Sequence, residues 1–322
     1  MRNSIVYATT LVAVLGCNRT VETRSTVLAE PRAMLPAVDS ARMVTNLSKL
    51  AHDSMAGRGA MTLENAKART WLAEELRRTG LSPIGQDFVQ SFVMPGRTPG
   101  DSIRGANVVG LVPGTRFRDR VIVVGAHFDH VGVRNGEIFN GADDNASGTA
   151  AVLELARHFA AHRPAHTMAF ALWDAEEVGH LGSRSFVAAA PIPLTSIVAN
   201  VNLDMVSRND RNELYAAGSY HYPAMRPILD SLVPHAAVTL RFGHDSGGGQ
   251  NDWTGQSDHA SFHGVKIPFV YFGVEDHPDY HRPTDDVERI QPGFYVRAVR
   301  TIGGFLERLD YALASRSPGG GS

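Results

Sequence analysis

Apolar residues recur along the chain in two rhythms, and each predicts a kind of element. From Leu63 to Arg78, Ala68, Trp71, Leu72 and Leu76 keep helical spacing, and Gly80 is placed to end the helix. Strand-length apolar runs follow at Asn107–Val112, Val121–Ala126, Thr167–Trp173, Ile197–Leu203 and Ile267–Val274, with Glu213–Ala217 as a further short strand. The Pro113-Gly114 turn and the polar stretch Arg116–Arg120 separate the first two runs. Between them and toward the end the rhythm turns helical again. Val152, Leu155, Ala156 and Phe159 mark a helix over about Ala146–His162, and Tyr295, Val299, Ile302, Leu306 and Leu309 mark a last one. Strands that are apolar at nearly every position are covered on both faces. Their alternation with helices predicts an α/β protein, a three-layer α/β/α sandwich around a central, mostly parallel sheet. Ser246 to Asp252, rich in glycine, reads as a loop beside whatever site the fold carries.

Composition narrows the class. In 322 residues, 43% are hydrophobic and 20% charged, enough apolar material for a sizeable core. Lys plus Arg number 31 against 33 Asp plus Glu, a net charge of −2 that gives no pull toward nucleic acid or an anionic membrane. The one cysteine, Cys17, excludes an internal disulfide framework. It closes a distinctive start: Arg2, then the uncharged stretch Ser4–Gly16, then Val14-Leu15-Gly16-Cys17. That stretch is too short to span the ~30 Å hydrocarbon layer as a helix, but it suits a secretory signal. Its end resembles a bacterial lipobox, in which the Cys is lipidated; ordinary signal cleavage is the alternative. We therefore expect export, with the membrane touched only through a lipid anchor at Cys17, and a periplasmic, outer-membrane or secreted location. Residues 18–45 read as a tether, 46–314 as a single catalytic domain and 315–322 as a tail.

Candidate chemistry gathers just past strand ends. Val121–Ala126 runs into His127-Phe128-Asp129-His130, Thr167–Trp173 into Asp174-Ala175-Glu176-Glu177, and Ile197–Leu203 into Asp204. Ile267–Val274 is followed, after a short loop, by His281 and Asp285, and Asp143-Asp144 precedes the 146–162 helix. Taken singly, each is an ordinary cap, turn or polar residue. Together they fall at one edge of one sheet, where open α/β folds place their sites, and they form an imidazole–carboxylate set suited to a metal.

The segments GAHFDHVG, GADDNASG, WDAEEVGHLGS, VNLDM, SDHASF and DYHRPTDD resemble, in order, those of the bacterial di-zinc aminopeptidases, a family related to the glutamate carboxypeptidases. The resemblance spans roughly Asn107 to Gln291. It implies an exopeptidase acting on peptides, with two Zn²⁺ held by His127, Asp144, Glu177, Asp204 and His281, Asp144 bridging, and Glu176 as general base. Asp143 is left to serve the turn. Because residues i and i+2 share a strand face, Asp129 is expected beside His127, accepting its second ring N–H, and His130 on the opposite face, away from the ligands. In secreted leucine aminopeptidases a Tyr near the SDH segment holds the oxyanion; here that place holds Thr254, so the oxyanion donor is unassigned. Gly80 to Asn107 is too short for the domain that some relatives insert. Carboxypeptidase or dipeptidase action, a one-zinc glutaminyl-peptide cyclotransferase and a receptor-like binding module stand as alternatives.

Overall fold

The computed structural model describes residues 35–315, except 97, 99 and 248–250. The signal segment, Cys17 and the tail lie outside the described residues, as does part of the Gly-rich loop. In chain order the elements are α1 Ser40–Leu50, α2 Leu63–Arg78, β1 Ser82–Pro83, β2 Val89–Pro95, β3 Ser102–Val112, β4 Phe117–His127, β5 Gly132–Arg134, β6 Glu137–Phe139, α3 Gly148–Ala161, β7 His166–Trp173, α4 Leu181–Ala188, β8 Ile197–Asp204, β9 Glu213–Ala217, α5 Arg226–Leu232, β10 Thr239–Phe242, α6 His259–Gly264, β11 Phe269–Gly273 and α7 Pro292–Ser315.

The main sheet runs β1-β3-β7-β4-β8-β11-β9-β10, with β2 also on β3. Its centre, β7-β4-β8-β11, is parallel throughout, and antiparallel pairing is confined to β1, β2 and β3 on one side and the β9–β11 contact on the other. Side chains alternate between faces along each central strand. On β4, Ile122, Val124 and Ala126 join the core under α1, α2, α3, α5 and α7. Val121 and Val123 join the opposite core, which includes Phe186 of α4 and Phe262 of α6. The chain is thus the α/β/α sandwich expected from its patterning. Gly125 is needed on β4 because a Cβ there would meet the Trp173 indole at 2.4 Å.

One boundary differs. The tether expected over 18–45 does not persist to its end: Leu35 is buried, and Asp39 caps α1 by accepting the Arg42 N–H. Met43, Leu47 and Leu50, at i, i+4 and i+7, then turn one face of that helix into the core. Among the described residues no helix is long and apolar enough to cross a membrane.

The consequence for function is geometric. The four central parallel strands all end at the same edge, so His127 at the end of β4, the residues after Trp173 of β7, Asp204 at the end of β8 and the loop after β11 meet there.

Candidate metal centre

Asp144 occupies the middle of the cluster. It sits in the turn before α3, nearly fully buried, with Oδ1 3.4 Å from His127 Nε2 and Oδ2 3.0 Å from His281 Nε2. On one side His127 Nε2 also lies 3.3 Å from Asp204 Oδ1. On the other, His281 Nε2 is 3.3 Å from Glu177 Oε2. All five residues expected as ligands therefore converge, with Asp144 shared between the two sides. Glu176, next to Glu177, faces the first side, and its Oε1 is 3.1 Å from His180 Nε2.

The neighbours of these residues depart from the strand-based expectation. His127 Nδ1 lies 3.1 Å from the backbone carbonyl of Asp129, while the Asp129 carboxylate is 3.8 Å away. That carboxylate instead accepts the backbone N–H groups of Glu176 at 3.0 Å and Glu177 at 3.3 Å. Asp129 thus positions the two glutamates rather than the imidazole. His130 does not face away: its Nδ1 is 2.7 Å from Glu177 Oε1 and 3.6 Å from Asp144 Oδ2. The physical reason is shared. Strand β4 stops at His127, and residues 128–131 belong to no strand, so period-two alternation is not enforced past the strand end.

Asp143 stands outside both groups of converging donors. Its Oδ1 accepts the backbone N–H and the hydroxyl of Ser207, each at 2.7 Å. Asp285 accepts the backbone N–H groups of Asp143 and Asp144, fixing the turn that presents Asp144.

Electrostatics separates the acids. Against the cost of burial, the His130, His127 and His281 rings hold the Asp144 carboxyl well below the usual carboxylate range. Glu177, buried and beside Asp144, is still drawn down to about 2 by His130 and His281. Glu176 moves the other way: burial, with the charges of Asp204, Glu177 and Asp144, raises it well above the ordinary value, despite the opposing pull of His127. A carboxylate raised toward neutrality, close to Asp144 and Glu177 that are held in their ionised form, is poised for proton transfer.

The donors fit a metal. Asp144, Glu177, His281 and His130 offer ligand atoms within 4.8 Å of one another, and so do His127, Asp144 and Asp204. Glu177 Oε1 and both His130 nitrogens are buried without a hydrogen-bond partner, which a folded protein seldom leaves so. Imidazole and carboxylate with no thiolate suit Zn²⁺.

The cluster opens into a cavity of about 240 Å³, whose walls include Met205, Trp253, Gln256, Tyr271, Val274, Asp276 and Tyr280. Thr254 does not line it; its hydroxyl donates to Asp252 and lies 3.0 Å from His221 Nε2. Two tyrosines do line it. Tyr271 donates to the backbone carbonyl of Asp204 at 3.3 Å, and Tyr280 stacks on His281 with centroids 4.0 Å apart. Sequence reasoning also missed Arg58, which is fully buried and donates to the carbonyls of Leu50, Phe128, Asn140 and Gly141. Nothing in the pattern around it marks a buried cation. The place of Tyr280, directly before His281, was the one available signal for that residue.

The profile of peptidase family M28 matches residues 107–306. Among curated proteins, a "Probable zinc metalloprotease" of Pyricularia oryzae is 33% identical over 198 residues, covering 56% of this chain and 37% of its own. A "Probable leucine aminopeptidase" of Trichophyton verrucosum is 28% identical over 220 residues, 64% of this chain and 58% of its own. The chain spans about half the length of the curated relatives it matches, or less. A leucine aminopeptidase precursor from Bacteroides thetaiotaomicron has the same fold, with a TM-score of 0.68 at 17% identity over 85% of this chain and 98% of that one.

Proposed function

The chain belongs to peptidase family M28, and we propose that it is a two-zinc aminopeptidase removing N-terminal residues from peptides. In this reading His127 and Asp204 hold one cation, Glu177 and His281 the other, and Asp144 both. Bound there, the cations would polarise the scissile carbonyl and acidify a water between them. The chain's own part is proton handling and orientation. Glu176 takes the water proton and returns it to the leaving amine. Asp129 keeps Glu176 and Glu177 in register through their backbone N–H groups. Tyr280 and Tyr271 carry phenol groups on the cavity wall, where Thr254 offers none.

The observation that carries the choice of aminopeptidase is the charge of the cavity. Beside the proposed ligands Asp144, Glu177 and Asp204, its lining includes Glu176 and Asp276 and, among the described residues, no Lys or Arg. A substrate carboxylate would find no fixed cationic partner on these walls, whereas a protonated α-amine meets carboxylates. Export and a lipid anchor at Cys17 belong to the same proposal and rest on the 2–17 sequence pattern alone.

The test is turnover of a free aminoacyl anilide against its N-acetylated counterpart, with an N-blocked dipeptide bearing a free C-terminus. Cleavage of the free anilide alone supports the reading. Equal cleavage of the acetylated compound, or cleavage only of the N-blocked dipeptide, overturns it.

A further inference from the structure

His130 is fully buried, and its two ring nitrogens have no hydrogen-bond partner. Nδ1 lies only 2.7 Å from Glu177 Oε1, yet Oε1 is likewise unpartnered, because the two atoms do not point along a common N–H···O line. Close approach without mutual alignment is what two donors show when both aim at a third point. The same holds for His281 Nε2, 3.0 Å from Asp144 Oδ2 and 3.3 Å from Glu177 Oε2. His130 Nδ1 belongs with these three residues in one set whose ligand atoms all lie within 4.8 Å of one another. The ring has been given room: a Cβ on Gly141 would stand 2.5 Å from both its Cγ and its Cδ2.

We propose that His130 is a metal ligand through Nδ1, completing with Asp144, Glu177 and His281 a set of four protein donors. This rests on the two-cation reading above and makes its two sides unlike. The His127, Asp144 and Asp204 side has three protein donors. Counting the water between the cations, the His130 side would already have five donors and the His127 side four, and a four-coordinate zinc keeps the readier position for substrate because it can expand to five. Incoming substrate therefore engages the His127–Asp204 side, the side that Glu176 faces, and the His130 side holds its cation as a fixed charge.

The nitrogen involved makes the proposal testable in the wild-type protein. His127 and His281 direct Nε2 at the centre, His130 Nδ1. Protein labelled with ¹⁵N in its imidazoles and loaded with ¹¹³Cd²⁺ should show ¹¹³Cd–¹⁵N coupling on two Nε2 and one Nδ1. Coupling on two Nε2 alone overturns the role of His130 and leaves the two-cation reading standing. No coupled nitrogen at all overturns both. As a second measurement, Cd²⁺ titrated calorimetrically onto metal-free H130F, in which an apolar ring fills the same space, should show one binding step weakened at least ~10-fold and the other unchanged. Two wild-type affinities in H130F would refute the assignment.

Discussion

Glu176 and Glu177 are neighbours in the chain, yet the same Glu→Gln change should fail differently at each. At Glu177 both oxygens face the cluster, Oε1 2.7 Å from His130 and Oε2 3.3 Å from His281, and the carboxyl is held down at about 2. Gln replaces an ionised donor with a neutral amide. Loss of a group that merely supports a ligand costs ~10–100-fold in metal affinity, so loss of an anionic ligand should cost at least that. Glu176 has one close side-chain partner, His180 Nε2 at 3.1 Å, and a Gln carbonyl can keep that contact. Its backbone N–H stays on Asp129. E176Q should therefore retain metal at wild-type stoichiometry. It should lose ~10²–10⁴-fold in kcat, about 3–5 kcal/mol of barrier, because the amide takes no proton. The metal-free proteins add a sign. Glu176 is raised well above its unfolded value, so its protonated form stabilises the fold at low pH, and that contribution is lost as pH climbs through the folded value. At neutral pH metal-free E176Q should melt no lower than metal-free wild type. The assays are metal content, kcat and thermal melts on both variants. Loss of metal in E176Q with retention in E177Q would reverse the two roles, and full activity in E176Q would refute the mechanism.

Chelation should lower Tm by several degrees and abolish turnover, with zinc restoring both; at 1,000 times Kd bound metal stabilises by about 4 kcal/mol. An unchanged melt after verified metal removal would count against the centre. Asp258 is fully buried, and burial together with the Glu176 charge pushes its carboxyl up to about 7. Its neutral form stabilises the fold fully below the ordinary carboxylate value, and that contribution fades as pH rises through 7. In metal-free protein the wild-type Tm should thus fall between pH 5 and 8 more steeply than that of D258N; parallel profiles would refute the buried charge. Arg58→Met strands carbonyls on both flanks of the centre and should cost about 3–5 kcal/mol in chemical denaturation, with R58K intermediate. A loss under about 1 kcal/mol would show that water replaces the guanidinium.

The central strands were legible because burial on both faces favours apolar residues at most positions: β7 is apolar from Met168 to Trp173, and β8 is interrupted only by Asn200 and Asn202 before it reaches Asp204. Helix α2 was legible to its last residue because Gly80 follows it at a positive φ. The convergence of the cluster was legible because acids and imidazoles at several strand ends have one place to meet, and the resemblance of six segments to the di-zinc aminopeptidases singled out His127, Asp144, Glu177, Asp204 and His281 within it. What escaped lay just beyond regular structure. His130 and Asp129 were placed by strand alternation, but the strand had already ended. The face of α1 was present in Met43, Leu47 and Leu50 and was concealed by its position after a segment that reads as a tether. Three of the four carbonyls that Arg58 binds, those of Phe128, Asn140 and Gly141, come from distant parts of the chain, a pattern no local window contains.

The centre also explains how so many acids can be packed together before any cation arrives. The carboxylates that surround the candidate ligands are hydrogen-bonded by backbone donors. Asp129 takes the N–H groups of Glu176 and Glu177, Asp285 those of Asp143 and Asp144, and Asp143 that of Ser207. Each such bond fixes the loop that carries a ligand, and charge-assisted bonds of this kind are among the stronger ones. Asn145 adds a neutral tie, donating to the Leu203 carbonyl and accepting from Gly148 N–H, so the turn bearing Asp144 is fastened to the strand bearing Asp204. Asp144, Glu177, Asp204, Glu176 and Asp276 are the acids left lining the cavity among the described residues. The fold thus separates two tasks: acids that accept backbone N–H groups hold the loops, and the acids they hold are left free for the proposed cations and for the proton.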